Sequence, residues 1–217
     1  MRVFIFSGGR LGDWALDDLA ATTNIRDGSD IVIGADRGAL FVLEHGLPLH
    51  VAVGDFDSVT AEERSRIKAK AQTFVECDAI DKDHTDTEIA FRHALNRKPD
   101  ELIMYGALGT RLDHSLANVH LLSEALDCGI RCRIRDEYNE VFLTDRELLL
   151  HKNHFPRISL LPLTPEVKGI NLTGFRYPLH DATLRIGESL GISNVLEAEK
   201  GIIRVARGRL LVIRSLD

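Results

Sequence analysis

Residues 54–58 read Gly-Asp-Phe-Asp-Ser and follow the apolar run Val51-Ala52-Val53. Two carboxylates, Asp55 and Asp57, therefore sit two residues apart at the end of a predicted strand. Side chains at i and i+2 of a strand point the same way, and a turn brings them closer still. Their mutual repulsion calls for a cation. Hard oxygen ligands with open coordination positions suit Mg²⁺, which keeps several waters and takes further ligands from substrate phosphates. An acidic turn that only reverses the chain is the competing reading, since Asp and Ser are common turn formers.

Three further segments place carboxylates just beyond predicted strands: Asp36 in Gly-Ala-Asp-Arg-Gly, the run Asp81-Lys82-Asp83-His84-Thr85-Asp86, and Asp113 in Gly-Thr-Arg-Leu-Asp-His. Ligands of open α/β sheets bind outside the carboxyl ends of the strands, so the four segments are expected to share one cleft. So many carboxylates in one place need cations, which favours a functional reading over a structural one. Asp86 falls in the first turn of a predicted helix, where the dipole already favours a negative charge. Its functional reading rests on completing a metal site with Asp55 and Asp57. Lys82 and Arg111 supply positive charge suited to phosphate oxygens. Gly8-Gly9-Arg10 after the first strand offers backbone amides, but it is not a Walker A loop. His84 and His114 each follow an Asp and read as hydrogen-bond partners. Trp14, Phe175 and Tyr177 read as core aromatics, with packing on a flat heterocycle as the alternative.

The elements that must position these groups alternate in the first two-thirds of the chain, as βαβ units of a largely parallel sheet do. Strands are predicted at Val3–Phe6, Ile31–Ile33, Val51–Val53, Thr73–Val75, Leu102–Tyr105 and Cys132–Ile134. Helices are predicted over Ala39–Glu44, Ala61–Lys70, Glu88–Leu95 and Leu112–Leu126, two of them opened by the capping boxes Thr60-x-x-Glu63 and Thr85-x-x-Glu88. Beyond about residue 135 many short β-type runs separated by Gly, Pro and Asn suggest a small antiparallel sandwich, with Gly208-Arg209 as a hairpin turn. The boundary is expected in a polar, strand-poor stretch over 145–157, giving an α/β domain of residues 1–145 and a β-sandwich of 146–217. A formal charge of −6, with no basic stripe, argues against nucleic acid as a partner. No apolar run reaches membrane length and no signal peptide is evident, so a cytoplasmic location with no membrane partner is expected. Cys77, Cys128 and Cys132 lack metal-ligand spacing and read as free or buried thiols.

Taken in order, Gly34-Ala-Asp-Arg-Gly-Ala39, Val53-Gly-Asp-Phe-Asp-Ser58, Asp83-His-Thr-Asp-Thr-Glu88, Arg111-Leu-Asp-His-Ser-Leu-Ala-Asn118, and late in the chain Gly174-Phe-Arg-Tyr-Pro-Leu179 with Gly191-Ile-Ser-Asn194, resemble the bacterial form of the thiamine pyrophosphokinase family. The resemblance covers nearly the whole chain. It departs at Ala107-Leu108-Gly109-Thr110, where the family often has a run closer to Ala-Thr-Gly-Gly. It implies transfer of a pyrophosphoryl group from ATP to thiamine, giving thiamine diphosphate and AMP. It also implies a catalytic α/β domain, a thiamine-binding β-sandwich, and a homodimer with active sites between one subunit's catalytic domain and its partner's sandwich. By position, Asp55, Asp57 and Asp86 correspond to magnesium and phosphate-end residues. Asp36, Lys82, Thr85 and Arg111 line the nucleotide and phosphate path, with Asp113 beside them, and Ser193 and Asn194 hold the thiamine pyrimidine. The thiamine hydroxyl proton has Asp86 or Asp113 as its candidate acceptor, and the sequence does not choose between them.

Overall fold

The computed structural model describes residues 1–77 and 83–216, Arg26 by its backbone alone. The chain divides into two compact units, Met1–Glu137 and Tyr138–Asp217.

In the first unit six strands, β1 (Arg2–Phe6), β2 (Ile31–Ala35), β3 (Val51–Gly54), β4 (Thr73–Glu76), β5 (Glu101–Tyr105) and β6 (Arg131–Arg135), form a parallel sheet in the order β6-β5-β1-β2-β3-β4. The middle strands are unbroken apolar runs because helices cover both faces. On one face Phe4, Phe6, Val32, Ala52, Ile103 and Tyr105 pack with residues of α1 (Asp13–Thr22), α2 (Arg37–Glu44) and α3 (Ala61–Lys70). The alternate residues Val3, Ile5, Ile33, Leu102 and Met104 are equally buried. The helices α4 (Asp86–Leu95), against β1, β2 and β3, and α5 (Leu112–Asp127), against β6, pack on the sheet as well. The topological switch point lies between β1 and β5, where the chain, having built outward through β4, returns to the other side of β1.

The six strands and four helices expected from sequence are present, and α1 is an addition. Its N-cap, Gly12, offers no side-chain cap, and its buried face is only Ala15 and Leu19 between aspartates, so the local start and period signals are weak. Of the two capping boxes, Thr60 and Glu63 form theirs reciprocally. At Thr85 the hydroxyl accepts from Glu88 N, while the Glu88 carboxylate turns to His84 and Arg92 instead.

The second unit is a β-sandwich of two antiparallel layers. One contains β12 (Asn194–Val195), β9 (Arg157–Pro162), β14 (Leu210–Ser215) and β7 (Asn139–Thr144); the other β11 (Ala182–Arg185), β10 (Glu166–Thr173), β13 (Lys200–Arg204) and β8 (Leu148–His151). Ile158, Leu160, Leu210 and Val212 from the first layer share one apolar cluster with Leu150, Val167, Ile170, Leu172 and Ile203 from the second. Two sequence expectations are corrected. The stretch over 145–157 is not strand-poor, since it holds β8, and the Gly208-Arg209 turn does not close a hairpin. It carries the chain from one layer to the other, because β13 pairs with β10 and β8 while β14 pairs with β7 and β9. Arg209 N donates to Thr164 Oγ1 at 3.1 Å and Lys168 N to the Arg207 carbonyl at 2.9 Å, so the turn is anchored to the β9–β10 connection rather than to its own flanks. Inside this unit Glu140 and Arg214 are direct cross-strand partners, 3.2 Å apart and almost fully buried.

Candidate functional site

Neighbouring parallel strands deliver their C-terminal residues to one height, and this builds the acidic cluster. Ala35 and Val53 are register partners in β2 and β3, so Asp36 and Asp55, which follow within two residues, emerge side by side. The Asp36 amide donates to the Val53 carbonyl at 2.9 Å, tying the two strand ends together. Gly54 allows the approach: its φ of 151° is scarcely open to other residues, and a Cβ there would press on the Asp36 backbone at 3.3 Å. Asp36, Asp55 and Asp57 thereby bring carboxylate oxygens within 4.8 Å of one another, a grouping that could hold a metal ion.

The cluster is asymmetric. Asp36 Oδ2 accepts a 2.5 Å hydrogen bond from Ser58 Oγ, whereas its Oδ1 is buried with no hydrogen-bond partner among the described residues. Burial, opposed in part by the Ser58 hydrogen bond, and then the charges of Asp86, Asp55 and Asp57 raise the Asp36 pKa above the ordinary 3.8. A carboxylate with a buried oxygen that lacks a donor among the described residues, grouped with two more carboxylates, is a costly arrangement that a hard divalent cation resolves. Asp36 itself holds a backbone conformation rare for a residue with a Cβ, φ 51° and ψ −121°.

Asp86, in the first turn of α4 behind the N-cap Thr85, is near enough to act on Asp36 electrostatically but stands outside the tight group of three. Asp113 is engaged elsewhere. Arg111 grips its carboxylate with both arms of the guanidinium, at 2.6 and 3.3 Å, on the exposed N-terminus of α5. That hydrogen bond holds the Asp113 carboxyl below the usual carboxylate range, and in return raises Arg111. Lys82 and Asp81 lie outside the described residues. His84 is a partner of Glu88 and Arg92 within α4, and no member of the acidic cluster.

At the switch point the loops after β1 and β5 nest closely. A Cβ on Gly9 would stand 2.3 Å from the Gly106 carbonyl oxygen and 2.7 Å from that of Leu108, so only glycine fits. The second loop is pinned from α5, where Asn118 Nδ2 donates to the Ala107 carbonyl at 2.7 Å and Ser115 Oγ accepts from Gly109 N at 3.1 Å. Sequence reasoning assigned no role to Ser58, Ser115 or Asn118. All three sit inside the motifs that drew attention, and a hydroxyl or amide beside a charged motif residue was the available signal.

In the second unit Ser193 adopts φ 57° and donates its amide to Ser159 Oγ, and the neighbouring Asn194 is buried. The Asn194 amide clamps the backbone of Tyr177, accepting from its N at 3.1 Å and donating to its O at 2.7 Å. The Tyr177 ring is left 61% exposed, while Phe175 is buried in the sandwich core and Trp14 packs edge-on against Tyr105 in the first unit's core. No helix among the described residues is long and apolar enough to cross a membrane.

Comparison with known proteins identifies the family. The profile described as "Thiamin pyrophosphokinase, catalytic domain" matches residues 22–134, just over half the chain, and that described as "Thiamin pyrophosphokinase, vitamin B1 binding domain" matches residues 146–210. A thiamine pyrophosphokinase of Bacillus subtilis is 36% identical over 197 residues, covering 90% of this chain and 92% of that protein. Among solved structures, thiamine pyrophosphokinase from Bacillus subtilis superposes with a TM-score of 0.89 at 32% identity, covering all of both chains. That from Geobacillus thermodenitrificans gives a TM-score of 0.86 at 30% identity, covering 100% of this chain and 98% of the other. With both profiles matched in order and relatives above 30% identity along almost the whole length, the chain belongs to the thiamine pyrophosphokinase family.

Proposed function

We propose that Asp36, Asp55 and Asp57, with Asp86 beside them, hold Mg²⁺ and the phosphate end of ATP in this chain. The reaction is that of the family: the pyrophosphoryl group of ATP passes to the hydroxyl of thiamine, giving thiamine diphosphate and AMP. The observation that carries the metal assignment is the convergence of three carboxylates, one of which, Asp36, has a buried oxygen with no donor among the described residues. A Mg²⁺ held there would supply neutralisation of phosphate charge and orientation of the phosphates.

The thiamine hydroxyl oxygen forms the new bond to the β-phosphorus, the bond from that phosphorus to the α-bridging oxygen breaks, and AMP leaves with that oxygen. The hydroxyl proton has to go to a base on the protein. A primary alcohol is about as weak an acid as water, roughly twelve pKa units above an ordinary Asp, so complete deprotonation before attack costs about 16 kcal/mol. A turnover of order 10 s⁻¹ leaves about 16 kcal/mol for the whole barrier. The proton therefore departs late, during a loose transition state governed by positioning and charge. Of the two candidate acceptors we favour Asp86, because Asp113 is committed to Arg111 and has its pKa lowered by that contact. Arg111 keeps Asp113 through Nε and Nη2, and the N–H groups of its Nη1 remain to meet phosphate oxygens. Lys82 and Thr85 complete the phosphate path. The nested loops at the β1/β5 switch point are where an open parallel sheet accepts a nucleotide.

The α/β unit carries the catalytic work and the β-sandwich unit holds thiamine, with Ser193 and Asn194 at its pyrimidine. Tyr177, Ile186, Leu190 and Ile192, all exposed on the second unit, support a homodimer that covers them, and the acidic field suits the cationic thiazolium ring. The protein works in the cytoplasm. Incubation with ATP, Mg²⁺ and thiamine tests the reading: AMP appears only when thiamine is present, and phosphate release independent of thiamine refutes it in favour of a hydrolase.

A further inference from the structure

Between the two aspartates of the Asp55-Phe56-Asp57 turn, Phe56 holds the left-handed conformation, φ 58°, that bulky L-residues rarely adopt. That residue decides where the carboxylates go. Were Phe56 extended, Asp55 and Asp57 would stand roughly 6–7 Å apart along the chain, two strand residues at about 3.3 Å each. With Phe56 left-handed the backbone folds back, Asp57 N donates to Asp55 Oδ1 at 3.2 Å, and the two carboxylates close on Asp36. Something must offset the conformational cost, and the side chain supplies it. The Phe56 ring is 2% exposed and stacks on Phe74 of β4 with centroids 4.8 Å apart and planes inclined by 16°. Lys68 Nζ of α3 lies 5.5 Å from the centre of the Phe74 ring.

We infer that Phe74, remote from every motif of the chain, is a positioning residue for the metal-binding carboxylates, acting through its stack on Phe56. This rests on the reading of Asp36, Asp55 and Asp57 as metal ligands. The ring is the handle by which the apolar core grips the turn. Neighbours that orient metal ligands typically matter by 10–100-fold in metal affinity.

The test is Mn²⁺ binding to the full chain, followed by electron paramagnetic resonance in the absence of nucleotide. Phe74→Leu keeps an apolar side chain but loses the stack, and it should weaken Mn²⁺ binding by about tenfold. The Mg²⁺ concentration for half-maximal turnover should rise by the same factor, with kcat at saturating Mg²⁺ close to that of the parent. Phe74→Tyr restores the ring and should restore both. Ile67→Val, a buried change in α3, is the stability control and should leave Mn²⁺ affinity unchanged. Equal affinity in the parent and Phe74→Leu overturns the inference, as does an equal loss in Ile67→Val. Absence of Mn²⁺ binding in the parent itself overturns the metal reading, a result distinct from the other two.

Discussion

Asp36→Asn should make the metal-free protein more stable while removing its function. The substitution deletes one charge and keeps an oxygen for the Ser58 hydroxyl. Asp36 faces Asp55 and Asp57 with oxygens within 4.8 Å. At that distance each pair repels by about 0.9 kcal/mol in a water-like dielectric and about 3.5 kcal/mol at an effective dielectric of 20. Asp57 is exposed, so solvent screening places the two pairs toward the lower limit, giving an expected gain of about 2 kcal/mol at pH 7. The pH dependence has a definite sign. The folded-state pKa of Asp36 is raised above 3.8, so between that value and the folded value the native state holds more protons than the unfolded chain. Stability contributed by Asp36 then falls as pH rises through that window, and the full penalty is present above it. The gain from Asp36→Asn should therefore be present at pH 7 and vanish below about pH 3.8, where the carboxyl is protonated in both states. Urea unfolding at both pH values in EDTA measures this, and the same titration with Mg²⁺ should show the parent stabilised and the variant not. A loss of stability at pH 7, or an undiminished Mg²⁺ effect, refutes the electrostatic account of the site.

Asp57→Asn should retain its circular dichroism spectrum and lose at least ~10²-fold in kcat; near-parental turnover removes Asp57 from the chemistry. Saturating Mg²⁺ with ATP, at about 100 times Kd, should add roughly 2.7 kcal/mol to stability, read as a rise in thermal midpoint, and no shift argues against a preformed cleft. Glu140→Leu leaves the buried Arg214 guanidinium with the His151 carbonyl as its partner among the described residues, and should cost about 3–5 kcal/mol by urea denaturation. The pair Glu140→Leu with Arg214→Met should recover most of that loss, and failure to recover it would show that the pair is not the source.

Much of this protein is legible locally. Thr60 and Thr85 announce their helices because a cap is satisfied within four residues. The apolar runs of β1 to β6 announce strands covered on both faces, and Gly54 to Ser58 announces an acidic turn, because in each case the signal and the structure occupy the same few residues. The clustering of acids beyond strand ends follows from the general behaviour of open sheets. Which acids meet was decided by tertiary structure. Asp36 joins Asp55 and Asp57 because β2 lies beside β3 in a register that only pairing sets, and Asp113 turns instead to Arg111, two residues away. The left-handed Phe56 has its ring stacked on Phe74, which arrives on the neighbouring strand from 18 residues further along the chain. Gly208 carries the chain between layers instead of closing a hairpin, since long-range partners, and not the turn residues, chose where β13 and β14 pair. Sequence thus determined the turn, the caps and the chemistry of the donors; strand order and register, which depend on contacts far apart in the chain, determined which donors converge.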